Sequence, residues 1–286
     1  MLKFKAKSQN SKLVVIIIIG FLFSYFLVKN IFSSVFLKRK DRVNVVFYSQ
    51  NSAYFSLSDQ DVNYFIKFPP DMEVLVPGGY GGYRLGGLGK LISLEKKPDL
   101  FRKTFSAATS TFVDLYFFPR KTEIYYKEGN RSYFPKTFEI FFSRSNAGFV
   151  DRFILAFKLF DRNQSNFKVI SSLTKSFDRE KFNEDFQGSF YKRSNRNKQV
   201  TVQILYKKSY STSLLLSEMI DGEGIRVVDQ SQSDEEISEC QVIGKSADAT
   251  GRSLAEFFGC QMKIGETTVS DIIIKLGNLE KDWAVK

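Results

Sequence analysis

Three charged residues around a glycine-rich segment are the strongest candidates for chemistry in this chain. Seven glycines lie within residues 78–89, and glycine lets a backbone adopt positive φ and approach a ligand closely. Backbone N–H groups beside Arg84 and Lys90 could cradle a phosphate, and Asp71 adds a carboxylate nearby. Position 84 is arginine, however, where both the Walker loop and the G-x-G-x-x-G pattern require glycine. Two interpretations stay open: a phosphate site, or a tight turn leading into a helix at about 88–95.

The composition excludes several classes of catalysis. The chain has no histidine, which removes Ser-His-Asp and Cys-His mechanisms and histidine-ligated metals. Its two cysteines, Cys240 and Cys260, are too few for a four-cysteine zinc site or an iron–sulfur cluster. Outside the cytoplasm they would form a disulfide that closes a loop of about twenty residues. The alternative is a pair of buried thiols.

The positive charge is concentrated at the N-terminus. Residues 1–42 carry nine Lys or Arg and one Asp, which gives +8 of the net +11. The remaining 244 residues carry 33 basic and 30 acidic groups, and such a nearly neutral body has little general attraction for phosphate backbones. We therefore expect no nucleic-acid partner, and we interpret the basic stretch 192–198 as a solvated loop.

A long apolar run follows the basic N-terminus. Residues 13–28 contain no charge, Lys29 and Asn30 interrupt the run, and it resumes over residues 31–37. The whole stretch is long enough to cross a bilayer of about 30 Å if Lys29 extends its ammonium to the headgroups.

A cleaved signal peptide is the alternative, but no A-x-A-like cleavage site follows the run. The pattern favours a signal anchor, so we expect a single-pass protein of the cell membrane. The short, acid-free start favours a cytoplasmic N-terminus and a body outside, although Lys38, Arg39 and Lys40 follow the run.

Strands and helices alternate after the anchor, which predicts a layered α/β (α+β) domain over residues 43–199. We expect Tyr125-Tyr126 and Phe141-Phe142 to be strand core, and residues 153–160 to belong to a buried helix. The predicted strands are 43–48, 62–68 and 112–118, and the predicted helices are 98–109 and 147–160.

Residues 200–286 form a second predicted unit, with the order β-α-β-β-α-β. The alternating run Val200–Tyr206 indicates its first strand, and Gly222 and Gly224 end the helix that follows. This unit contains no cluster of catalytic residue types, so the pattern favours a binding or interaction module.

The first unit resembles the LytR-CpsA-Psr family. That resemblance implies an α/β sandwich that holds a polyprenyl phosphate and transfers lipid-linked glycopolymers to the cell wall, with Arg and Asp side chains on the pyrophosphate and a divalent metal. This chain has Pro70 before Asp71 where the family has arginine, and Asn51 stands nearest to a family aspartate. The segments that carry the resemblance are Ile66–Val74, Val76–Gly79, Tyr83–Leu88, Pro98–Thr104 and Phe112–Tyr116.

The second unit resembles the C-terminal domain of LytR-CpsA-Psr regulators. The matching segments are Val202–Tyr206, Gly224–Val227, Ser253–Gly259 and Ser270–Gly277. The usual Asn-Gly turn after the first strand is Lys207-Lys208 here.

Three functions are compatible with these features. The one we favour is a non-catalytic envelope protein, without cofactor, that binds a lipid-linked or cell-wall polymer or a partner protein. The first alternative is an active, Mg²⁺-dependent glycopolymer transferase that uses Asp71, Arg84 and Lys90. Arg84 and Lys90 would bind phosphate. Asp71 can also be explained as a turn residue after Pro70. The second alternative is a membrane-bound transcriptional regulator whose body faces the cytoplasm.

Overall fold

A computed structural model of the chain describes residues 2–38, 41–130, 132–160, 162–170, 177–186, 188–235 and 237–285. The helices are α1 (Leu2–Ser33), α2 (Val35–Lys38), α3 (Leu85–Glu95), α4 (Asp99–Thr109), α5 (Thr137–Phe142), α6 (Phe149–Leu159), α7 (Arg179–Phe186), α8 (Arg193–Lys198), α9 (Tyr210–Gly222), α10 (Ala249–Phe258) and α11 (Leu279–Asp282). The strands are β1 (Arg42–Phe47), β2 (Ser52–Ser58), β3 (Tyr64–Phe68), β4 (Glu73–Val76), β5 (Gly81–Arg84), β6 (Leu115–Phe118), β7 (Arg144–Ser145), β8 (Lys168–Ile170), β9 (Thr201–Tyr206), β10 (Arg226–Gln232), β11 (Gln241–Gly244), β12 (Gln261–Ile264) and β13 (Ile272–Lys275).

A six-stranded mixed sheet forms the centre of the first unit. Its strand order is β7-β6-β1-β2-β3-β8. Strands β1 and β6 are parallel, whereas β2 runs antiparallel to both β1 and β3. Every residue of β1 and β2 is buried, because helices and loops cover both faces of the sheet. The expectation of a mixed α/β fold is confirmed.

The two faces of this sheet belong to separate apolar cores. On one face Val46 and Tyr54 pack with Phe101 and Phe105 of α4. The other face packs against α5 and α6, through residues such as Leu155. Successive side chains of a strand point to opposite faces, so β1 supplies residues to both cores.

Helix α6 is found where the sequence predicts it, but the prediction that its aromatic residues are buried is wrong. The buried residues of α6 are Asp151, Leu155, Ala156 and Leu159. The phenylalanines of residues 149–160 point outward and are exposed. The apolar pattern identifies a helix but does not show which of two apolar faces meets the core.

The predictions for two aromatic pairs are also wrong. Tyr125 and Tyr126 lie in a loop, not in a strand, and the Tyr126 side chain is 75% exposed. Phe141 and Phe142 end α5, and Phe142 is exposed. Aromatic residues favour strands only when a pleated surface is available to pack them.

A second, five-stranded sheet lies within residues 201–275, in the order β10-β9-β13-β11-β12. Helices α9 and α10 pack on it around Leu216, Met219 and Leu254. The order of elements differs from the prediction, because β12 and α11 are additional. Strand β12 was missed because most of its side chains are exposed.

The two sheets are joined by contacts as well as by the chain. The ring of Phe112 stacks on Phe257 of α10, with ring centroids 3.8 Å apart. The backbone N–H groups of Gly78 and Gly79, between β4 and β5, both donate to the carbonyl of Ala284 at 3.0 Å.

Helix α1 contains one segment, residues 14–33, that is long and apolar enough to cross a membrane. Its described side chains are almost all exposed to solvent, apart from Asn30. An exposed apolar helix of this length is unfavourable in water, since its surface has no other partner.

Candidate functional site

A cavity of about 340 Å³ opens beside the carboxyl ends of β1 and β6. Ligands of α/β sheets commonly bind at the carboxyl ends of parallel strands. The residues that line this cavity are Phe47, Tyr48, Ser49, Gln50, Asn51, Phe117, Pro119, Lys121, Glu123, Tyr125, Ser132, Tyr133, Pro135, Glu139 and Ser143. We call it the β1–β6 cavity.

Strand pairing positions the floor of the β1–β6 cavity. Phe47 lies opposite Phe117 in the parallel register, and their rings stack with centroids 4.6 Å apart. The Tyr48 N–H donates to the carbonyl of Phe117 at 2.8 Å. Strands β1 and β6 end at the same edge of the sheet, so the polar residues 49–51 that follow β1 leave the sheet next to the cavity.

Asn51 fixes the loop that faces these strand ends. Its side-chain amide donates to the carbonyl of Gly129 at 2.9 Å and accepts from the Gly129 N–H at 2.8 Å. Gln50 donates to the carbonyl of Lys127 at 3.1 Å, and a Cβ on Gly129 would lie 2.3 Å from the Gln50 amide oxygen. The residue nearest to the family aspartate therefore holds a loop through paired amide hydrogen bonds.

Tyrosines form the aromatic wall of the cavity. The Tyr48 hydroxyl accepts from the Gly89 N–H at 2.8 Å and donates to the Gly86 carbonyl at 3.2 Å. Burial raises the pKa of Tyr48 above its usual value, so the hydroxyl stays protonated and able to donate. Burial also raises the pKa of Tyr133, and the charges of Glu128 and Asp71 add to that shift.

The charges that line the cavity do not favour an anion. Among the described residues of the lining, Lys121 is the one basic residue, against Glu123 and Glu139. The Glu139 carboxylate accepts from the Lys136 N–H at 2.8 Å and thereby helps to begin α5. Among the residues that the structure describes, no group of three or more Asp, Glu or Cys side chains could hold a metal ion.

The three predicted site residues lie outside this lining. Asp71 is exposed, on the turn before β4. Its negative charge helps to raise the pKa of Tyr133, which lines the cavity. Arg84 is exposed at the end of β5, directly before α3, and Lys90 is exposed on α3. The structure thus brings Asp71 near the cavity and leaves both cations on the surface.

The glycine-rich segment packs closely against the cavity wall. A Cβ on Gly86 would lie 1.9 Å from the carbonyl oxygen of Tyr125. The N–H groups of Leu85 and Gly86 at the start of α3 donate to the carbonyls of Met72 and Pro70, both at 2.8 Å. These donors are therefore already used, which favours the turn-and-helix interpretation. The helix begins at Leu85, three residues before the predicted start.

Sequence reasoning missed a buried ionic cluster between the two sheets. Lys192 is buried, and its Nζ lies 2.6 Å from Glu223 and 3.7 Å from Asp114. Glu223 also accepts from the Phe112 N–H at 2.7 Å, and burial raises its pKa. One signal was available, because Asp114 interrupts an otherwise apolar strand, and a carboxylate in such a run is usually paired.

The interpretation of residues 192–198 as a solvated loop is wrong in two respects. Residues 193–198 form α8, and Lys192 is only 5% exposed. The charge of Lys192 is directed inward because the two carboxylates are there.

Cys240 and Cys260 are joined by a disulfide, with their Cα atoms 4.8 Å apart. Strands β11 and β12 begin just after these cysteines and run parallel, and the Gln261 N–H donates to the Cys240 carbonyl at 3.2 Å. The sheet therefore holds the two half-cystines side by side.

The fold and cavity define a mixed α/β protein with an N-terminal apolar helix and an aromatic, polar-rimmed pocket. No family model matches the chain, and no curated protein matches it. It is weakly similar to the crystal structure of the transcriptional regulator yvhJ from Bacillus subtilis, with 9% identity over 53% of this chain and 98% of that one, and a TM-score of 0.36. A transcriptional regulator from Enterococcus faecalis is similar with 9% identity over 77% and 88% of the two chains, and a TM-score of 0.24. At these values neither similarity bears on what this chain does.

Proposed function

We propose that the chain is a membrane-anchored protein of the cell envelope whose β1–β6 cavity binds a sugar-containing polymer, lipid-linked or part of the cell wall, without modifying it. The lining of the cavity carries this proposal. The partly exposed Tyr125 and Tyr133 offer aromatic faces on which sugar rings stack, and the amide and hydroxyl groups of Gln50 and Ser132 match sugar hydroxyls.

The charges support binding without catalysis. Gripping a pyrophosphate requires several cations, and holding a divalent metal requires clustered carboxylates. The part of the lining that the structure describes has one lysine and two glutamates, of which Glu139 is engaged in starting α5. Pro70 and Asn51, where this chain departs from the LytR-CpsA-Psr pattern, also favour binding without catalysis.

Helix α1 supports the membrane anchor. Its apolar segment is 20 residues long, and the residues that precede it are basic. We assign the N-terminus to the cytoplasm and the body to the outer face. Protease added to intact spheroplasts should digest the body; a protected body would reverse this orientation and favour a cytoplasmic regulator.

Blocking the cavity tests the proposed binding. We expect Ser132→Trp to fill the opening and to weaken co-sedimentation of the full, detergent-solubilised chain with purified bacterial cell walls by about tenfold or more, equivalent to ~1.4 kcal/mol. Ser93→Trp is the matched control, since Ser93 is an exposed serine on α3 outside the lining. Equal binding by the two variants would show that the cavity is not the site.

The transferase alternative rests on Asp71, whose charge reaches the cavity rim at Tyr133. In that case the full chain would release polyprenyl phosphate from a lipid-linked glycopolymer in a Mg²⁺-dependent reaction. Arg84→Ala would abolish the release while leaving the fold intact, since Arg84 is exposed.

A further inference from the structure

Four phenylalanines form a continuous exposed stripe along α6 and the residue that follows it. We call Phe149, Phe153, Phe157 and Phe160 the phenylalanine stripe; their exposed fractions are 57%, 62%, 79% and 72%. Their spacings of four, four and three residues place them on one side of a helix. The side chains therefore present one apolar surface along the whole length of α6.

The stripe is not explained by the core. The opposite side of α6 is already buried, with Leu155 and Leu159 in the apolar cluster beneath the first sheet. A surface helix normally turns charged and polar residues to water, and contiguous exposed apolar surface usually marks an interaction site. Helix α5, which packs on α6, adds exposed Phe138 and Phe142, whose rings stack with centroids 4.4 Å apart.

Hydrogen bonds tie the first turn of α6 to the end of α1. The buried Asp151 carboxylate accepts from the Ser34 hydroxyl at 2.6 Å and from the Phe36 N–H at 3.2 Å. Ser34 directly follows the apolar helix. These bonds hold the stripe beside the C-terminal end of α1. The exposed apolar surface of α1 includes Phe32 at that end.

We propose that the phenylalanine stripe inserts into the lipid interface around the exit of α1, so that the body lies against the bilayer through α6. This inference rests on the proposed membrane anchoring. Amphipathic helices of this kind bury their apolar face about 5–10 Å below the headgroups. The bilayer is the favoured occupant because α1 and α6 are bonded together, which leaves the stripe next to lipid whenever α1 is inserted.

Fluorescence quenching by brominated lipids tests this contact in the full chain. The chain has one tryptophan, Trp283, which is buried in the second sheet's core and serves as the internal background. In vesicles whose lipids carry bromine near the top of the acyl chains, the indole added by Phe157→Trp should be quenched several-fold and its emission shifted to the blue. Tyr210→Trp is the matched control, because Tyr210 is an exposed aromatic residue on α9, and its added emission should be unaffected.

Each other outcome overturns the inference in a recognisable way. If the chain floats with the vesicles but the added indole of Phe157→Trp is neither quenched nor blue-shifted, the anchor stands and the stripe faces water. A blue-shifted, unquenched indole would show that a second protein copy covers the stripe instead. If the chain does not float with the vesicles at all, the membrane anchor fails and the inference fails with it.

Discussion

At the scale of single residues, a lysine links the two sheets through buried charges. Lys192 precedes α8, Glu223 follows α9, and Asp114 lies beside β6. A buried ion pair adds little net stability, but removal of one partner leaves the other charge buried and uncompensated. The cluster therefore matters most when it is broken.

We expect Lys192→Ala to lower the free energy of unfolding by about 3–5 kcal/mol, because it removes the counter-charge of the buried carboxylates of Asp114 and Glu223. The triple variant Lys192→Met/Asp114→Asn/Glu223→Gln should recover much of this loss, since it removes all three charges. It also keeps acceptors for the N–H groups of Asn44 and Phe112. Denaturant titration of the full chain in detergent measures both effects.

Glu256→Ala is the control: Glu256 pairs with Lys38 at 3.9 Å on the surface, and its loss should cost about 1 kcal/mol or less. A loss in the triple variant as large as that in Lys192→Ala would contradict the coupling.

Asp221 should make stability depend on pH. Burial raises the pKa of Asp221 to about 6, against the smaller opposing effects of the Val227 N–H and Arg226. Because the folded state holds this proton more tightly, the stabilisation is complete below the unfolded pKa near 3.8 and is lost as pH rises through about 6.

Melting curves of the full chain between pH 4 and pH 7 check this sign. We expect Asp221→Asn to reduce the decrease in the free energy of unfolding between pH 4 and pH 7 by up to about 2 kcal/mol, after allowance for solvent screening. The amide oxygen of the new side chain still accepts from the Val227 N–H. Asp271→Asn is the control: the Thr201 N–H lowers the pKa of Asp271 below 3.8, so its contribution is lost only at lower pH and the slope between pH 4 and pH 7 should not change. An unchanged slope in Asp221→Asn would contradict the assignment.

At the scale of elements, the start of α3 sets the shape of the cavity wall. We expect Gly86→Ala to destabilise the fold by about 1–3 kcal/mol, because the new methyl group would displace the backbone of Tyr125. The same change should weaken cell-wall binding, since Tyr125 lines the cavity. At Gly87, also within α3, a Cβ would meet only the ring of Tyr83 at 3.0 Å. Gly87→Ala should therefore be nearly neutral, and equal losses in the two variants would argue against a specific contact.

Periodicity predicted the elements that bury one apolar face. Helix α4 lacks only the first residue of its predicted range, 98–109. Periodicity did not reveal β12, whose side chains are mostly exposed, or the outward side of α6. The hydrophobic pattern reports that a face is apolar, and it does not distinguish a protein core from another apolar surface.

The candidate site was harder to predict from the sequence than the helices and strands were. Glycine and basic residues directed attention to Arg84 and Lys90, yet close packing accounts for Gly86. Positive φ angles account for Gly78, Gly79 and Gly81. The cavity instead combines the ends of two strands with a loop held by Asn51. Such a site depends on contacts between residues far apart in the chain, and local spacing carries no information about them.

At the scale of the whole molecule, one covalent link lies within the second sheet. We expect Cys240→Ser/Cys260→Ser to lower the free energy of unfolding by about 3 kcal/mol, the chain-entropy value for a loop of about twenty residues. Fluorescence of the buried Trp283 reports unfolding of that region directly. Reducing agent should produce the same loss in the unsubstituted chain and none in the double variant. Two unmodified thiols in the purified protein would contradict both the link and an exported body.

The position of β13 has a consequence for synthesis. This strand lies between β9 and β11, although its residues come after both in the sequence. Until residues 272–275 emerge from the ribosome, the nascent chain holds only the separate pairs β9–β10 and, once β12 is made, β11–β12, each with open edges that invite mispairing. A chaperone that shields strand edges would thus be needed most just before the last residues of the second sheet arrive.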